Sequence, residues 1–472
     1  MDVHVLATTE LGDRSYLVAE GRTAVVVDPQ RDIDRVESLL DELGLACELV
    51  VETHIHNDYV TGGYQLARRT GARYAVNAED PVQFERTPVR DGDQLVAGPL
   101  TVDVVATPGH TFTHLAYVVS SGDPTQQPVV FTGGSLLYGS VGRTDLLGTQ
   151  HTEVLTRHQY HSAHRLADAL DDTVAVYPTH GFGSFCSTGA TTGDDGSTIG
   201  DERRHNDAFV AADEDRFVTT LIANLTAYPA YYAHMAGHNV AGPAPLDLGE
   251  PAPADPVQVQ ERLDAGEWVI DLRDRSAYAA GHLVGTISIE LGDQFSTYVG
   301  WLLPWGAPLT LLADAPEDIH RAQRQLGRIG IDRLEGATTG PYADLAARRE
   351  VADYPTVTFA DAAFRPGSDL LDPTQTARTL LDVRREDERS QESIPGSLHV
   401  PLHQLLDRMA DIPTGTTLWV HCASGFRAGI ASSILSRAGY DVVHIDDEYE
   451  NYGRWHGSPA DASISPEPVS VG

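Results

Sequence analysis

Short apolar runs broken by polar turns fill the first 120 residues, and their periods predict strands mixed with helices. VHVLATT, SYLVAE and TAVVVDP read as successive strands. IDRVESLLDELG carries apolar residues at helical spacing and ends on Gly44, a residue suited to close a helix. CELVVETHIH reads as a buried strand running into a polar loop, and YVTGGYQLARRTG as the helix beyond it. This order places Thr53–Asp58 at the carboxyl end of a strand, where α/β sheets commonly hold their ligands.

Between 200 and 245 the pattern turns helical and Tyr-rich (FVTTLIANLTAYPAYYAHM). AGPAPLDLGEPAPADP follows, rich in Pro, Ala and acid, and reads as a linker with a domain boundary at 245–255. Two later stretches resemble each other. WVIDLRDRSAYAAGHLVGTISIEL matches LLDVRREDERSQESIPGSLHVPL, and LTLLADAPEDIHRAQRQLGRIGI matches TLWVHCASGFRAGIASSILSRAGY. An internal repeat of roughly 100 residues is expected, each copy an α/β module with a parallel sheet. The expected domains are 1–248, 255–350 and 356–465.

A chain of 472 residues with 41% hydrophobic and 21% charged positions fits several globular domains. No run approaches the ~20 apolar residues of a membrane span. The first residues, MDVHVLATTELGD, lack a basic stretch followed by an apolar one, so a cytoplasmic protein is expected. The net charge is −35 and every basic residue is Arg, which disfavours nucleic acid and anionic membranes as partners. Cys47, Cys186 and Cys422 lie too far apart for a CxxC motif, so each must be weighed as core filler or reactive thiol. Cys47 opens a strand and is expected in the core.

Candidate chemistry begins at Thr53-His54-Ile55-His56-Asn57-Asp58. On a strand end, His54 and His56 would face the same way. Pro108-Gly109-His110-Thr111 and Tyr177-Pro178-Thr179-His180-Gly181 follow, each placing a His at a strand-to-loop transition. Imidazoles with a nearby carboxylate suit Zn or Fe. His54, His56 and His110 are the expected metal ligands, with Asp58 and His180 as further candidates.

The order THxHxD, PGHT, FTG, GRTD, PTHG resembles the metallo-β-lactamase superfamily, and within it the persulfide dioxygenase branch, some of whose members carry fused rhodanese domains. The resemblance implies an αββα sandwich, one Fe(II) on two His and one Asp, and oxidation of a thiol persulfide to sulfite. Tyr59 stands where glyoxalase II-like hydrolases have a His for a second metal, which favours the mononuclear branch. Gly134, in Phe131-Thr132-Gly133-Gly134, stands where the family has the ligating Asp. The carboxylate must then come from Asp58, or the site is a three-His one natural for Zn(II). Arg143 and Asp145 match the family's substrate loop, where Arg can pair a substrate carboxylate; an internal Arg–Asp pair is the other reading. Cys186 lies six residues past His180 and either faces substrate, relays sulfur or fills the core. With Tyr59, these are the candidate substrate-binding residues.

Leu418-Trp419-Val420-His421 reads as a strand, and Cys422-Ala423-Ser424-Gly425-Phe426-Arg427 as a loop opening a helix. A Cys there sits among backbone N–H groups whose dipoles favour a thiolate and cradle anions. The Cx4R spacing resembles rhodaneses, which carry sulfane sulfur as Cys-S-SH, and makes Cys422 and Arg427 the candidate catalytic residues. Asp382 and Arg384, with Ile394-Pro395-Gly396-Ser397, match supporting parts of that module. In the first copy Asp314 takes the position of Cys422, and a carboxylate cannot carry a persulfide, so that copy is expected to be silent.

The expected fold is therefore an α/β chain: a metallo-β-lactamase sandwich followed by two rhodanese-like domains. The expected function is a persulfide dioxygenase–sulfurtransferase with one Fe(II), or Zn(II), acting on a low-molecular-weight thiol persulfide with sulfite and thiosulfate. Self-association is implied by the resemblance alone. The alternatives are an active rhodanese on a degenerate metal domain, or a Zn-dependent thiolester hydrolase.

Overall fold

The structure is a computed structural model describing residues 1–187, 196–346, 350–364 and 378–456. The chain divides into two compact units: one holds Met1–Gly249, Gly292–Trp301 and Ala322–Asp332, the other Glu250–Leu291, Leu302–Arg321 and residues from Arg333 onward.

The first unit is built on two six-stranded sheets. One runs in chain order through β1 (Asp2–Thr8), β2 (Asp13–Glu20), β3 (Thr23–Val27), β4 (Ala46–Val51), β5 (Arg73–Asn77) and β6 (Thr87–Val89). The other contains β7 (Gln94–Ala97), β8 (Leu100–Ala106), β9 (Leu115–Ser120), β10 (Val129–Gly133), β11 (Ala175–Pro178) and β12 (Ser197–Thr198), again in order. The apolar runs of β2 and β3 are buried on both faces because each sheet is covered twice. One face of each sheet meets the other sheet across a core that includes Tyr16, Val25, Leu49, Tyr117 and Phe131. The outer face of the first sheet is covered by α1 (Asp34–Leu43) and α2 (Gly63–Thr70), and that of the second by α3 (Thr152–Ala169) and the helix Glu214–Ala223. This is the αββα layering expected from the sequence. Gly44 closes α1 at φ 65°, the left-handed conformation that Gly adopts without strain.

Two local expectations need correction. The strand carrying ELVV ends at Val51, so His54 and His56 lie in a loop rather than on alternating strand positions. The helix after it begins at Gly63, not at Tyr59. Asn239 explains both: its amide NH2 donates to the carbonyls of His56 and Tyr59, and its side-chain oxygen accepts from Thr61 N. Those backbone groups are satisfied without a helix.

The second unit contains the parallel strands of both repeats. Strands Ile287–Ser288, Trp268–Asp271, Leu309–Ala313 and Leu334–Thr339 pair in parallel in that order. Strands Leu398–His399, Arg378–Asp382, Thr417–His421 and Val442–Ile445 do the same, with Thr356–Val357 added at the edge. The repeats also share an ion-pair device. Arg273 and Arg384 each clamp the Asp two residues earlier through Nε and NH2, and each reaches a carbonyl eight residues on, at Gly281 and Glu392.

Candidate metal centre and sulfur site

Three imidazoles converge where the loops after β4, β8 and β11 meet. A ring nitrogen of each of His54, His110 and His180 lies within 4.8 Å of the others, and all three side chains are buried. Their hydrogen bonds define the tautomers. His54 Nδ1–H donates to Thr53 Oγ1 at 2.9 Å, because the Thr53 hydroxyl is itself spent on Asp28. His110 Nδ1–H donates to the Arg143 carbonyl at 2.7 Å, and His180 Nδ1–H to Asp13 at 2.9 Å. Each Nε2 is left to face the cluster, and that of His180 keeps a proton unless a cation displaces it, because the cost of burial is outweighed by Asp58 and Asp13, which raise this group well above its ordinary value. That of His110 has no hydrogen-bond partner, and those of His54 and His180 face each other at 3.4 Å. Outer acceptors that fix metal-ligating imidazoles in this way are the usual support of a metal site.

His56 adds a fourth donor. Its Nε2 lies 3.0 Å from Tyr59 Oη and 3.3 Å from carboxylate oxygens of Asp28 and Glu52, leaving Nδ1 without a partner. His56 also groups with Asp58 and His180 within 4.8 Å, and Asp58 Oδ1 has no hydrogen-bond partner. Orphaned, buried nitrogen and oxygen donors are costly unless something binds them. This donor set fits a divalent metal ion. All five candidate ligands, His54, His56, Asp58, His110 and His180, are thus brought together.

The electrostatics are those of a dry, charged cage. Burial, then neighbouring imidazoles, push His54 well below its ordinary value, and burial with His180 pushes His110 down to about 3. Burial opposes the charged form of His56, but Asp28 and Glu52 overcome it and raise the group to about 9. Burial pushes Glu52 up to about 7, and burial with Asp58 pushes Asp13 up to about 7.

Gly134 is packed against the site. A Cβ there would stand 2.5 Å from Cδ2 of His110, and one at Gly142 would stand 2.9 Å from its Nδ1. The His110 ring is held in the space that two missing side chains leave. Arg143 is buried and pairs with Asp145 through Nε at 2.7 Å and NH2 at 2.8 Å, while also donating to the carbonyls of Phe185 and Thr226. Cys186 is buried with Sγ 3.8 Å from Tyr232 Oη, and burial, then Asp58, raise its thiol well above the ordinary value. Cys47 is buried in the layer beneath α1 and α2.

Several site residues escaped the sequence reading. Asp28 accepts from Thr53 N and from the hydroxyls of Thr53 and Thr179, tying two ligand-bearing loops to one carboxylate. His114 sits among the site imidazoles, yet both its nitrogens are used, by Thr107 and by Gly134 N–H. The signal for His114 was its place four residues after His110; Asp28 carried only a Pro after it, and Glu52 and Asn239 none.

In the second unit Cys422 is buried, one residue past the strand Thr417–His421 and before the helix Phe426–Arg437. Arg427 forms a bidentate pair with Glu388 at 2.5 and 2.6 Å. Asp314 follows Leu309–Ala313 as Cys422 follows its own strand. Beside Cys422, burial drives His421 down to about 4.

Residues 9–180 match the family model of the metallo-beta-lactamase superfamily, and residues 368–454 that of the rhodanese-like domain. The chain is 31% identical over 219 residues to an uncharacterized protein of Mycobacterium leprae, covering 40% of this chain and 90% of that protein. It is 30% identical over 177 residues to the mitochondrial persulfide dioxygenase ETHE1 of Homo sapiens, covering 37% of this chain and 63%, under two thirds, of that enzyme. A crystal structure of a metallo-beta-lactamase from Staphylococcus aureus subsp. aureus COL superposes with a TM-score of 0.64 at 26% identity. That likeness covers 72% of this chain and 99% of the other, a share too large for the first unit alone. Among the described residues no helix is long and apolar enough to cross a membrane.

Proposed function

The chain belongs to the metallo-β-lactamase superfamily and carries a C-terminal rhodanese-like domain, and from that premise we propose a two-site enzyme of persulfide metabolism. At the first site a thiol persulfide, O2 and water give the thiol and sulfurous acid (RSSH + O2 + H2O → RSH + H2SO3). The single observation that carries this reading is the convergence of the His54, His110 and His180 ring nitrogens. A bound metal, Fe(II) with Zn(II) as the alternative, would supply Lewis acidity and, as iron, O2 chemistry. His54, His110 and His180 would hold it, with His56 as a further nitrogen donor and Asp58 as the carboxylate. The Arg143 carbonyl, Asp13 and Thr53 keep the imidazoles in the ligating tautomer. Tyr59 and Cys186 line the site, and the Arg143–Asp145 pair shapes the adjoining loop. The substrate is a low-molecular-weight thiol persulfide.

At the second site the Cys422 thiolate attacks the outer sulfur of a persulfide. The donor S–S bond breaks, the thiol leaves, and Cys422 holds one sulfane sulfur. Sulfite then takes that sulfur as thiosulfate and restores the thiolate. Arg427, with the helix N-terminus, favours the anions in this exchange.

The test is O2 consumption with glutathione persulfide, with and without added Fe(II). Iron-dependent uptake with one sulfite per O2 supports the reading. No uptake by iron-loaded protein that still transfers sulfur would replace it with a second reading: a sulfurtransferase carried on a metal domain without turnover. One observation favours that second reading, the His110 ring lying where a carboxylate from position 134 would have to pass.

A further inference from the structure

The silent repeat touches the helix that follows Cys422 along one line. Positions 425, 429, 433 and 437 recur every four residues and so lie on one face of the helix Phe426–Arg437 and its N-terminal turn. Three are small: Gly425, Gly429 and Ser433. At Gly429 a Cβ would stand 3.2 Å from the Arg275 stem, so the glycine is what admits that side chain. Ser433 Oγ accepts from Ser288 N at 3.0 Å, and Arg437 donates to the carbonyls of Gly266 and Glu267. Arg275, Ser288, Gly266 and Glu267 all belong to the repeat that lacks the cysteine.

Arg275 reaches furthest. Its Nε donates to Asp446 at 2.8 Å, and its NH1 to Glu290 at 2.6 Å. Asp446 in turn lies against the Cys422 loop: a Cβ on Gly425 would stand 1.9 Å from Asp446 Oδ1. Gly425 holds φ 85° and its carbonyl accepts from His444 Nε2 at 2.9 Å, so the turn between Cys422 and the helix has little freedom. Asp446 is also an acid set beside a helix N-terminus that must hold an anionic sulfur, and the Arg275 guanidinium offsets that charge.

We infer that Arg275 of the silent repeat is a positioning residue for the sulfur-carrying loop, acting through Asp446 on Gly425. The inference rests on Cys422 being the sulfur carrier. It gives the first repeat a role its lost nucleophile does not suggest: it supplies the wall against which the active loop is set. A loop displaced by a fraction of an ångström misaligns the thiolate with its donor, and such displacements lower turnover more than binding.

The experiment uses the full chain and thiosulfate as sulfur donor. Arg275→Ala is expected to lower sulfurtransfer kcat by about tenfold with KM within about twofold, and Arg275→Lys to restore part of the loss. Asp446→Asn approaches the pair from the other side and should reproduce the kcat loss. The double variant should be no worse than either single one, because the two residues act through one contact. Cys422→Ser separates the two readings. If it abolishes transfer while Arg275→Ala keeps wild-type kcat, the positioning role is wrong and the carrier stands. If Cys422→Ser retains full transfer, the carrier itself is wrong. Fully additive losses in the double variant would also overturn the Arg275–Asp446 route.

Discussion

The Nε2 atoms of His54 and His180 face each other across 3.4 Å, with both Nδ1–H groups already engaged. Two lone pairs so placed in a dry site repel unless a cation or a proton stands between them. A divalent ion would displace the proton on His180 and stabilise the folded chain by mass action. Chelator-treated protein is expected to melt about 5 °C or more higher once Fe(II) or Zn(II) is added. His180→Ala should erase that gain, as followed by calorimetry. Identical melting with and without metal would exclude the site.

Restoring an acid at position 134 should not improve metal binding. Gly134→Asp puts a Cβ into the His110 ring, so the ring must move off its Arg143 acceptor. A stability loss of about 2 kcal/mol is expected from such overpacking. Metal content should fall below that of the parent. Elemental analysis after gel filtration, together with a melting curve, measures both; a rise in bound iron would contradict the geometry.

Arg143 should matter to folding before it matters to substrate. Its guanidinium serves Asp145 and two backbone carbonyls from a buried position. Arg143→Met strands the carboxylate and is expected to cost about 3 kcal/mol, readable in urea unfolding. A raised KM at unchanged stability would show instead that the residue faces the ligand.

Sulfur transfer should separate the two repeats. Cys422→Ser is expected to abolish thiosulfate sulfurtransfer, since serine cannot form a persulfide. Asp314→Ala should leave it within about twofold, because Asp314 lies in the other repeat's loop. Thiosulfate-dependent persulfide labelling followed by mass spectrometry places the sulfur on a residue directly.

The repeat bearing Cys422 should weaken in acid. Burial raises Asp382, but the bonds from Arg384 outweigh it and hold the carboxyl down at about 2. A carboxyl depressed by folding stabilises the native state above its unfolded value and loses that contribution as pH falls toward the folded one. About 2 kcal/mol should therefore vanish between roughly pH 4 and pH 2. Comparing Asp382→Asn with the parent across that window checks it: the variant should be less stable at neutral pH and lack this part of the acid loss.

The elements were legible where one period dominated. The apolar β2–β3 pair, the α1 stripe with Gly44 and the strand before Cys422 all declare themselves in a dozen residues or fewer. The clustered imidazoles were legible because His recurs in short polar segments, two of them flanked by Pro and Gly at His110 and His180. What could not be read was anything that acts across the chain. Asn239 holds the loop of His56 from 183 residues away, and Asp28 reaches Thr179 across 151. A single Asp after a Val run looks like any strand end. The use of Arg143 could not be decided either, since a substrate-facing guanidinium and a buried pair share one sequence, and only the surroundings separate them.

Asp28 is also the one described residue other than glycine with a positive φ, at 49°. Its backbone is held there by its N–H on the Val51 carbonyl and by the Ser15 and Tyr59 hydroxyls on its own carbonyl, while its carboxylate takes Thr53 and Thr179. The loops bearing His54 and His180 are thus tied to one carboxylate. A change at Asp28 would therefore slacken both loops at once, which makes the placing of His54 and that of His180 a single property of the chain.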